Sequence, residues 1–160
     1  MLLRGLLVTG TLFLGLACGS DHDHGHDEDQ FICDGNEDSL APGTTKTGAA
    51  GISMEIVEAM PPVHYVQNNE LIVTVSDTSG LLDGVNFESI LPFTAKHDHG
   101  TPVPAAWEAT GNAGEYRLYD ISYVHRGPWR VDIELSAGGV SDSLEWIFCI
   151  EDLPGTADAG

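Results

Sequence analysis

Apolar and polar residues alternate along much of the chain between residues 51 and 150. The clearest runs extend from Trp129 to Leu135 and from Leu144 to Ile150, each with an apolar residue at every second position. A period of two places alternate side chains on opposite faces of a β-strand. No stretch keeps the 3.6-residue period of a helix, so the pattern predicts strands with one buried face.

Turn-forming pairs such as Asp83-Gly84, Gly127-Pro128 and Gly138-Gly139 separate the alternating runs. Seven short strands within about a hundred residues are typical of an immunoglobulin-like sandwich. The predicted fold is therefore all-β, a seven-stranded antiparallel immunoglobulin-like β-sandwich. Its strands are expected at residues 51–58, 69–77, 84–94, 103–110, 114–123, 127–136 and 140–150.

The first seventeen residues have the organisation of a bacterial export signal. Arg4 is followed by an apolar run from Leu6 to Leu16, which is too short to span a bilayer. Cys18 follows Ala17 directly and resembles the acylated cysteine of a lipoprotein, although Gly15 occupies the position where leucine is usual. We expect lipidation of Cys18; the alternative is an ordinary cleaved signal with a spare cysteine.

This interpretation predicts four regions along the chain. Residues 1–17 are the signal peptide, and residues 18–50 form a flexible tether rich in His and Asp. Residues 51–152 form the folded domain, and residues 153–160 form a disordered tail. The expected location is the cell envelope, with a lipid anchor in the membrane and the domain facing the periplasm or the cell surface.

Cys33 and Cys149 remain as a pair once Cys18 is assigned to the lipid. Disulfides persist in the oxidising compartments that exported proteins enter, so we expect a Cys33–Cys149 disulfide. Two metal-bound thiolates are the alternative. Neither cysteine has a second one two to four residues away, which is the spacing that zinc sites usually have.

The charge balance limits the choice of partner. All 25 acidic residues follow residue 20, where only five basic residues remain, which gives a balance of −20 before histidines are counted. Such a chain repels nucleic acid and anionic lipid surfaces, so no nucleic-acid partner is expected. The charge suits attraction of cations and plain solubility equally well.

Seven histidines are the main chemical resource of the sequence. Successive connections between antiparallel strands alternate between two ends, so the first, third and fifth connections emerge together. These three carry Met60, His64, His97, His99 and His125. Imidazole binds copper, zinc and nickel, and a thioether favours Cu(I). We expect a metal site here; for each residue the alternative is a solvated polar turn.

The tether contains a different histidine pattern. His22, His24 and His26 alternate with acidic residues and glycine. A flexible run of this kind binds divalent ions weakly, so it is a secondary metal site that could collect ions for an ordered one. A soluble spacer that holds the domain away from the membrane is the equally weighted alternative.

Three short motifs carry a resemblance to a known family. Lys96-His97-Asp98-His99-Gly100 is followed by Gly114-Glu115-Tyr116 and then by Gly127-Pro128-Trp129. Over residues 52–150 this order is similar to the YtkA-like domain family, which is related to FixH-type proteins. The resemblance implies an exported immunoglobulin-like sandwich with a copper role connected to oxidase assembly.

The chain departs from the family pattern at two ligand positions. Members commonly have Met ahead of His-x-His, where this chain has Thr94-Ala95-Lys96, and Met ahead of the Gly-x-Trp turn, where it has His125. Imidazole in place of sulfur moves the site toward Cu(II) or Zn(II). The resemblance therefore supports His97 and His99 directly, and His125 by position alone.

Together these observations predict an exported metal-binding domain that holds or delivers copper, with zinc as the second choice. A periplasmic metalloprotein or an oxidase-assembly protein is the expected partner. The sequence has no nucleophile elbow or helical His-Glu-x-x-His motif, and we expect no enzymatic activity. The alternatives are an adhesive or structural surface module that binds a protein without metal, and an acidic metal scavenger that acts through residues 21–29.

Overall fold

A computed structural model describes residues 33–60, 69–94, 99–101, 103–124 and 126–151. All regular structure in these ranges is β, and the strands form antiparallel sheets. The predicted signal peptide, most of the predicted tether and the predicted tail at residues 153–160 lie outside the described residues. The strands are β1 (Thr45–Thr47), β2 (Ser53–Met60), β3 (Asn69–Asp77), β4 (Gly80–Leu81), β5 (Asn86–Thr94), β6 (His99–Gly100), β7 (Ala106–Ala109), β8 (Glu115–Ile121), β9 (Gly127–Ala137) and β10 (Val140–Ile150).

The first sheet has the order β1-β2-β3-β8-β7, and the short β4 also pairs with β3. The alternation of residues in β3, the central strand of this sheet, explains why this part of the sequence forms a strand. Leu71, Val73 and Val75 are buried on the inner face, whereas the residues between them are half-buried on the outer face. This is the alternation expected of a strand with one face on the core.

The second sheet has the order β10-β9-β5-β6. β9 and β10 form a hairpin of eleven paired positions that closes at Gly138-Gly139. Inward residues face each other across it, as in the pairs Trp129–Phe148 and Ile133–Leu144. These cross-strand pairs of large apolar side chains stabilise the sheet and supply much of the core.

The two sheets share one apolar core, to which both contribute inward side chains. Phe87 of the second sheet contacts the rings of Trp107 and Tyr116 of the first, with centroid distances of 5.3 and 5.5 Å. The Trp107 indole N–H donates to the Phe87 carbonyl over 3.1 Å. This aromatic cluster joins the two sheets on the side where β5 and β7 lie.

Seven of the described strands overlap the seven that alternation predicts. β1, β4 and β6 are additional and contain only two or three residues each. The all-β prediction is confirmed. The described strands number ten in place of the expected seven, because three short segments pair with the edges of longer strands.

Residues 38–47 connect the two sheets on the other side of the molecule. β1 pairs with β2 of the first sheet, and the Asp38 N–H donates to the Ile147 carbonyl in β10 of the second. Lys46 in β1 also forms an ion pair with Asp38 over 2.9 Å. The folded unit thus includes this segment, whereas the sequence predicted that the folded domain starts at residue 51.

The Asp142 carboxylate holds the chain that enters β2. It accepts hydrogen bonds from the backbone N–H groups of Ala50 and Ile52, each over 3.0 Å. Burial raises the pKa of this carboxyl, but these donors and that of Ser143 outweigh burial and hold the pKa below its usual value. A side chain at Gly48 would collide with the carboxylate.

We expect Asp142→Asn to lower the free energy of unfolding by about 1.5 to 3 kcal/mol at pH 7, because hydrogen bonds to a charged acceptor are lost. A lowered folded-state pKa gives stability that is present at neutral pH and lost as pH falls through that pKa. The difference between variant and parent should therefore narrow below about pH 4. Urea unfolding of both proteins at several pH values measures this difference in the free energy of unfolding.

Asp132→Asn is the matched control, because Asp132 forms only an exposed ion pair with Arg130. Its effect should stay below about 1 kcal/mol at every pH. An Asp142→Asn variant whose stability and pH profile match this control would contradict the role assigned to Asp142.

Candidate functional site

The predicted ligands belong to connections that leave one end of the molecule, here called the histidine end. In the first sheet, Met60 pairs with Glu70, and Asn69 pairs with Ile121. The last residue of β2, the first of β3 and the last of β8 therefore lie side by side. The connections that start from these strand ends are residues 61–68 and 122–126.

The second sheet contributes strand ends to the same region. Residues 122–126 cross directly from β8 to Gly127, the first residue of β9, and Gly127 pairs with Ile150. β5 runs antiparallel to β9 and ends at Thr94, one position beyond the Phe93–Arg130 pair. The backbone thus brings the starts and ends of the first, third and fifth connections to one end.

Of the predicted ligands, the structure describes Met60 and the backbone of His99. Met60 is the half-buried last residue of β2, and His99 opens β6, where its backbone pairs with Thr94. The His99 side chain lies outside the described residues. So do His64, His97, His125, the tether histidines His22, His24 and His26, and Cys18.

Buried polar residues, here called the buried polar layer, lie at or next to the strand ends that flank these connections. Asn69, Thr94 and Ser122 are 1%, 2% and 5% exposed, and they are the buried polar side chains among the described residues. All three lie at the histidine end. The Asn69 side-chain amide donates to the Ile121 carbonyl over 3.0 Å. Sequence reasoning missed this layer, although the inward position of Thr94 in an apolar pattern is a signal for it.

The end of β8 has an irregular backbone that leads into this layer. Leu71 pairs with Leu118 and Asn69 with Ile121, so β8 has one extra residue in a bulge. Asp120 within it has a left-handed φ of 57°, which non-glycine residues rarely adopt. Bulges and such conformations are frequent beside functional sites because they redirect side chains. Here the alternation ends, and residues 121–123 are all buried.

An aromatic pair forms the floor below the polar residues. Tyr123 and Trp129 are buried, and their rings pack edge to face with centroids 5.4 Å apart. Burial raises the pKa of the Tyr123 phenol, so this group stays neutral at ordinary pH.

The Gly114-Glu115-Tyr116 motif has a structural role at the opposite end. The Gly114 N–H donates to the Asp83 carboxylate over 2.7 Å. The Tyr116 hydroxyl donates to the Leu82 carbonyl over 2.9 Å and accepts from the Val85 N–H over 3.0 Å. The motif fixes the chain between β4 and β5, and its residues lie away from the histidine end.

The predicted Cys33–Cys149 disulfide is present in the structure. Cys149 pairs with Pro128 near the start of β9, so the disulfide lies at the histidine end on the outer side of β10. A disulfide sulfur carries no negative charge and is not a thiolate, which is the form of cysteine that binds metal ions. The metal-thiolate alternative for these cysteines therefore does not apply to the oxidised chain.

Comparison with family models, with curated proteins and with solved structures finds no match for this chain. Within the described ranges, no helix has the length and apolar character needed to cross a bilayer.

Proposed function

We propose that this chain is an exported, lipid-anchored protein whose domain binds copper at the histidine end. His97, His99 and His125 would hold the ion, with His64 and Met60 as further ligands from the first connection. The observation that carries the proposal is that the strand ends from which the three histidine-bearing connections start lie at one end of the two sheets. Imidazole donors suit Cu(II) or Zn(II), and Met60 would add affinity for Cu(I).

The surroundings of that end support the same function. Metal-ligating imidazoles usually donate their second N–H to a polar group that sets the ring orientation. Asn69, Thr94 and Ser122 are buried at the flanking strand ends, and their side-chain oxygens would be the acceptors for such N–H groups. The strongly acidic chain attracts cations, and the tether histidines would raise their local concentration.

We infer an immunoglobulin-like sandwich of the YtkA-like family, facing the periplasm or the cell surface, that holds or delivers its ion without catalysis. The receiving partner would be a periplasmic metalloprotein or an oxidase-assembly protein. Lipidated Cys18 would keep the domain at the membrane.

Calorimetric titration of the full chain with Cu²⁺, and separately with Zn²⁺, tests the proposal. We expect one tight equivalent of copper, and a higher melting temperature when copper is present. Saturation at about a hundredfold excess over Kd adds about 2.7 kcal/mol to the free energy of unfolding. Weak binding without any thermal shift would assign the ions to the histidines of residues 22–26 and reject an ordered site in the domain.

A surface module that binds a protein without metal is the second candidate. A groove of about 310 Å³ beside β6 favours it, since its lining includes Leu91, Phe93, Pro104 and Arg130. Leu91 is 55% exposed. The Arg130 guanidinium, however, stacks 5.2 Å from the Phe93 ring centroid and pairs with Asp132. Because the charged group of the groove is already paired, the groove has fewer groups able to bind a ligand than the histidine end has. Metal binding is therefore the preferred function.

A further inference from the structure

Three ligand atoms outside the proposed copper site converge beside β10. The sulfurs of Cys33 and Cys149 and a carboxylate oxygen of Glu37 all lie within 4.8 Å of one another, and all three residues are half-buried. In the oxidised chain the sulfurs are bonded to each other, so the group cannot bind a metal. Reduction of the disulfide would convert it into two thiols beside a carboxylate.

The Glu37 carboxylate is held in place without help from the disulfide. It accepts hydrogen bonds from the Asp34 N–H over 2.9 Å and from the Gly35 N–H over 2.8 Å. The Asn36 N–H donates to the Asp34 carboxylate over 2.9 Å, which closes the same turn. Each Glu37 oxygen keeps a free lone pair, so the carboxylate is positioned and still able to bind a cation.

The segment that carries Cys33 is also anchored independently. Asp38 forms a parallel bridge with β10: its N–H donates to the Ile147 carbonyl, and its carboxylate accepts from the Ile147 N–H over 2.8 Å. Lys46 pairs with the same carboxylate over 2.9 Å. Cys33 is five residues from this anchor and Cys149 is two residues from Ile147. Both thiols therefore stay close together when the S–S bond is broken.

We propose that the reduced chain has a second metal site, formed by Cys33, Cys149 and Glu37, for a zinc-like divalent ion. Two thiolates with a carboxylate fit the tetrahedral zinc group, whereas Cu(I) prefers sulfur donors alone. The Glu151 carboxylate, 3.9 Å from the Cys149 sulfur, is available for the fourth position. This site shares no ligand with the copper site and does not rest on the proposed function.

A dithiol reductant can convert the disulfide into the two thiols of the proposed site. The S–S bond of the protein breaks and accepts two electrons and two protons, which gives two thiols. The reductant loses the same electrons and protons and becomes a disulfide. Metal binding then releases the two thiol protons to solvent, because the thiolate is the ligand. In the oxidised chain the S–S bond takes the place of the two thiolate ligands, so the site does not form.

Cadmium titration of the full chain carrying Cys18→Ser tests this proposal. The protein is reduced with dithiothreitol, freed of it under nitrogen, and titrated with Cd²⁺ while the ultraviolet thiolate-to-metal charge-transfer band is recorded. We expect one equivalent to produce the band in reduced protein and none in oxidised protein. Glu37→Gln should weaken binding about 10- to 100-fold. Glu88→Gln, a change at an exposed glutamate at the far end of β5, should leave it unchanged.

Three results would overturn the proposal. The first is a reduced chain that gives no band, and the second is a Glu37→Gln variant that binds as tightly as Glu88→Gln. The third is a reduced chain whose far-ultraviolet circular dichroism shows lost strands, since the site requires an anchored segment. A variant lacking His97, His99 and His125 should keep the cadmium band, so failure of the copper proposal is seen separately.

Discussion

Replacing His97, His99 and His125 together by alanine should lower the copper affinity of the full chain at least about 100-fold. Loss of a single supporting partner of a ligand already costs about 10- to 100-fold, and this variant removes three ligands. The affinity of the parent chain should also fall as pH drops through about 6.5, because a protonated imidazole cannot bind metal. Calorimetry with Cu²⁺ at pH 7.5 and pH 5.5 measures both effects.

The matched control replaces His22, His24 and His26 by alanine, which removes the same number of imidazoles from the tether. We expect it to abolish weak binding events and to leave the tight equivalent and the thermal shift intact. If the tether variant loses the tight equivalent and the domain variant retains it, the acidic scavenger becomes the correct description. Equal binding by parent and both variants would remove histidines from the mechanism altogether.

Trp129→Ala should lower the free energy of unfolding by about 3 to 5 kcal/mol. The Trp129 side chain is fully buried and packs edge to face against Tyr123. Its removal leaves a cavity between the core and the histidine end that the surrounding strands cannot fill. Small domains have only about 5 to 15 kcal/mol of stability, so this single change should remove a large part of it.

Urea unfolding followed by far-ultraviolet circular dichroism measures the effect without relying on tryptophan fluorescence. Leu91→Ala is the control, since Leu91 is 55% exposed and its loss should change stability by no more than about 0.5 kcal/mol. If Trp129→Ala and Leu91→Ala unfold at the same urea concentration, the packing of Trp129 does not stabilise the core.

The long strands could be predicted from the sequence because each is buried on one face only. β3 and β10 begin and end where alternation predicts, at Asn69–Asp77 and Val140–Ile150. β1, β4 and β6 could not, because two or three residues are too few to show a period. These short strands exist because a neighbouring edge offers unpaired backbone groups.

Apart from the Cys33–Cys149 pair, the attachment of residues 33–47 has no sequence signal. The segment is poor in apolar residues, and composition alone indicates a flexible tether. It is held by polar and covalent contacts: the Cys33–Cys149 disulfide, the Asp38 bridge and the Lys46 ion pair. The disulfide and the Asp38 bridge join residues more than a hundred positions apart, and no local pattern encodes the bridge.

The common end of the strands that flank the proposed ligands was predictable from the sequence, whereas the buried polar residues there were not predicted. Alternating strand direction alone places Met60, Thr94 and Gly127 at one end, as the paired registers do. Asn69 and Thr94 of the buried polar layer take their inward positions from their own strands, whereas Ser122 follows the bulge at Asp120, after which residues 121–123 are all buried. A bulge changes which face each residue takes, and strict alternation cannot anticipate it.

The segment that joins the two sheets has a consequence for solubility. β10 is an eleven-residue strand at the end of its sheet, with an alternating apolar face, and a bare strand of that length is a template for pairing with another molecule. Asp38 occupies its backbone groups at Ile147, and the loop before β2 lies against Asp142. Proteolytic loss of residues 33–47 would therefore leave a chain prone to intermolecular β-aggregation.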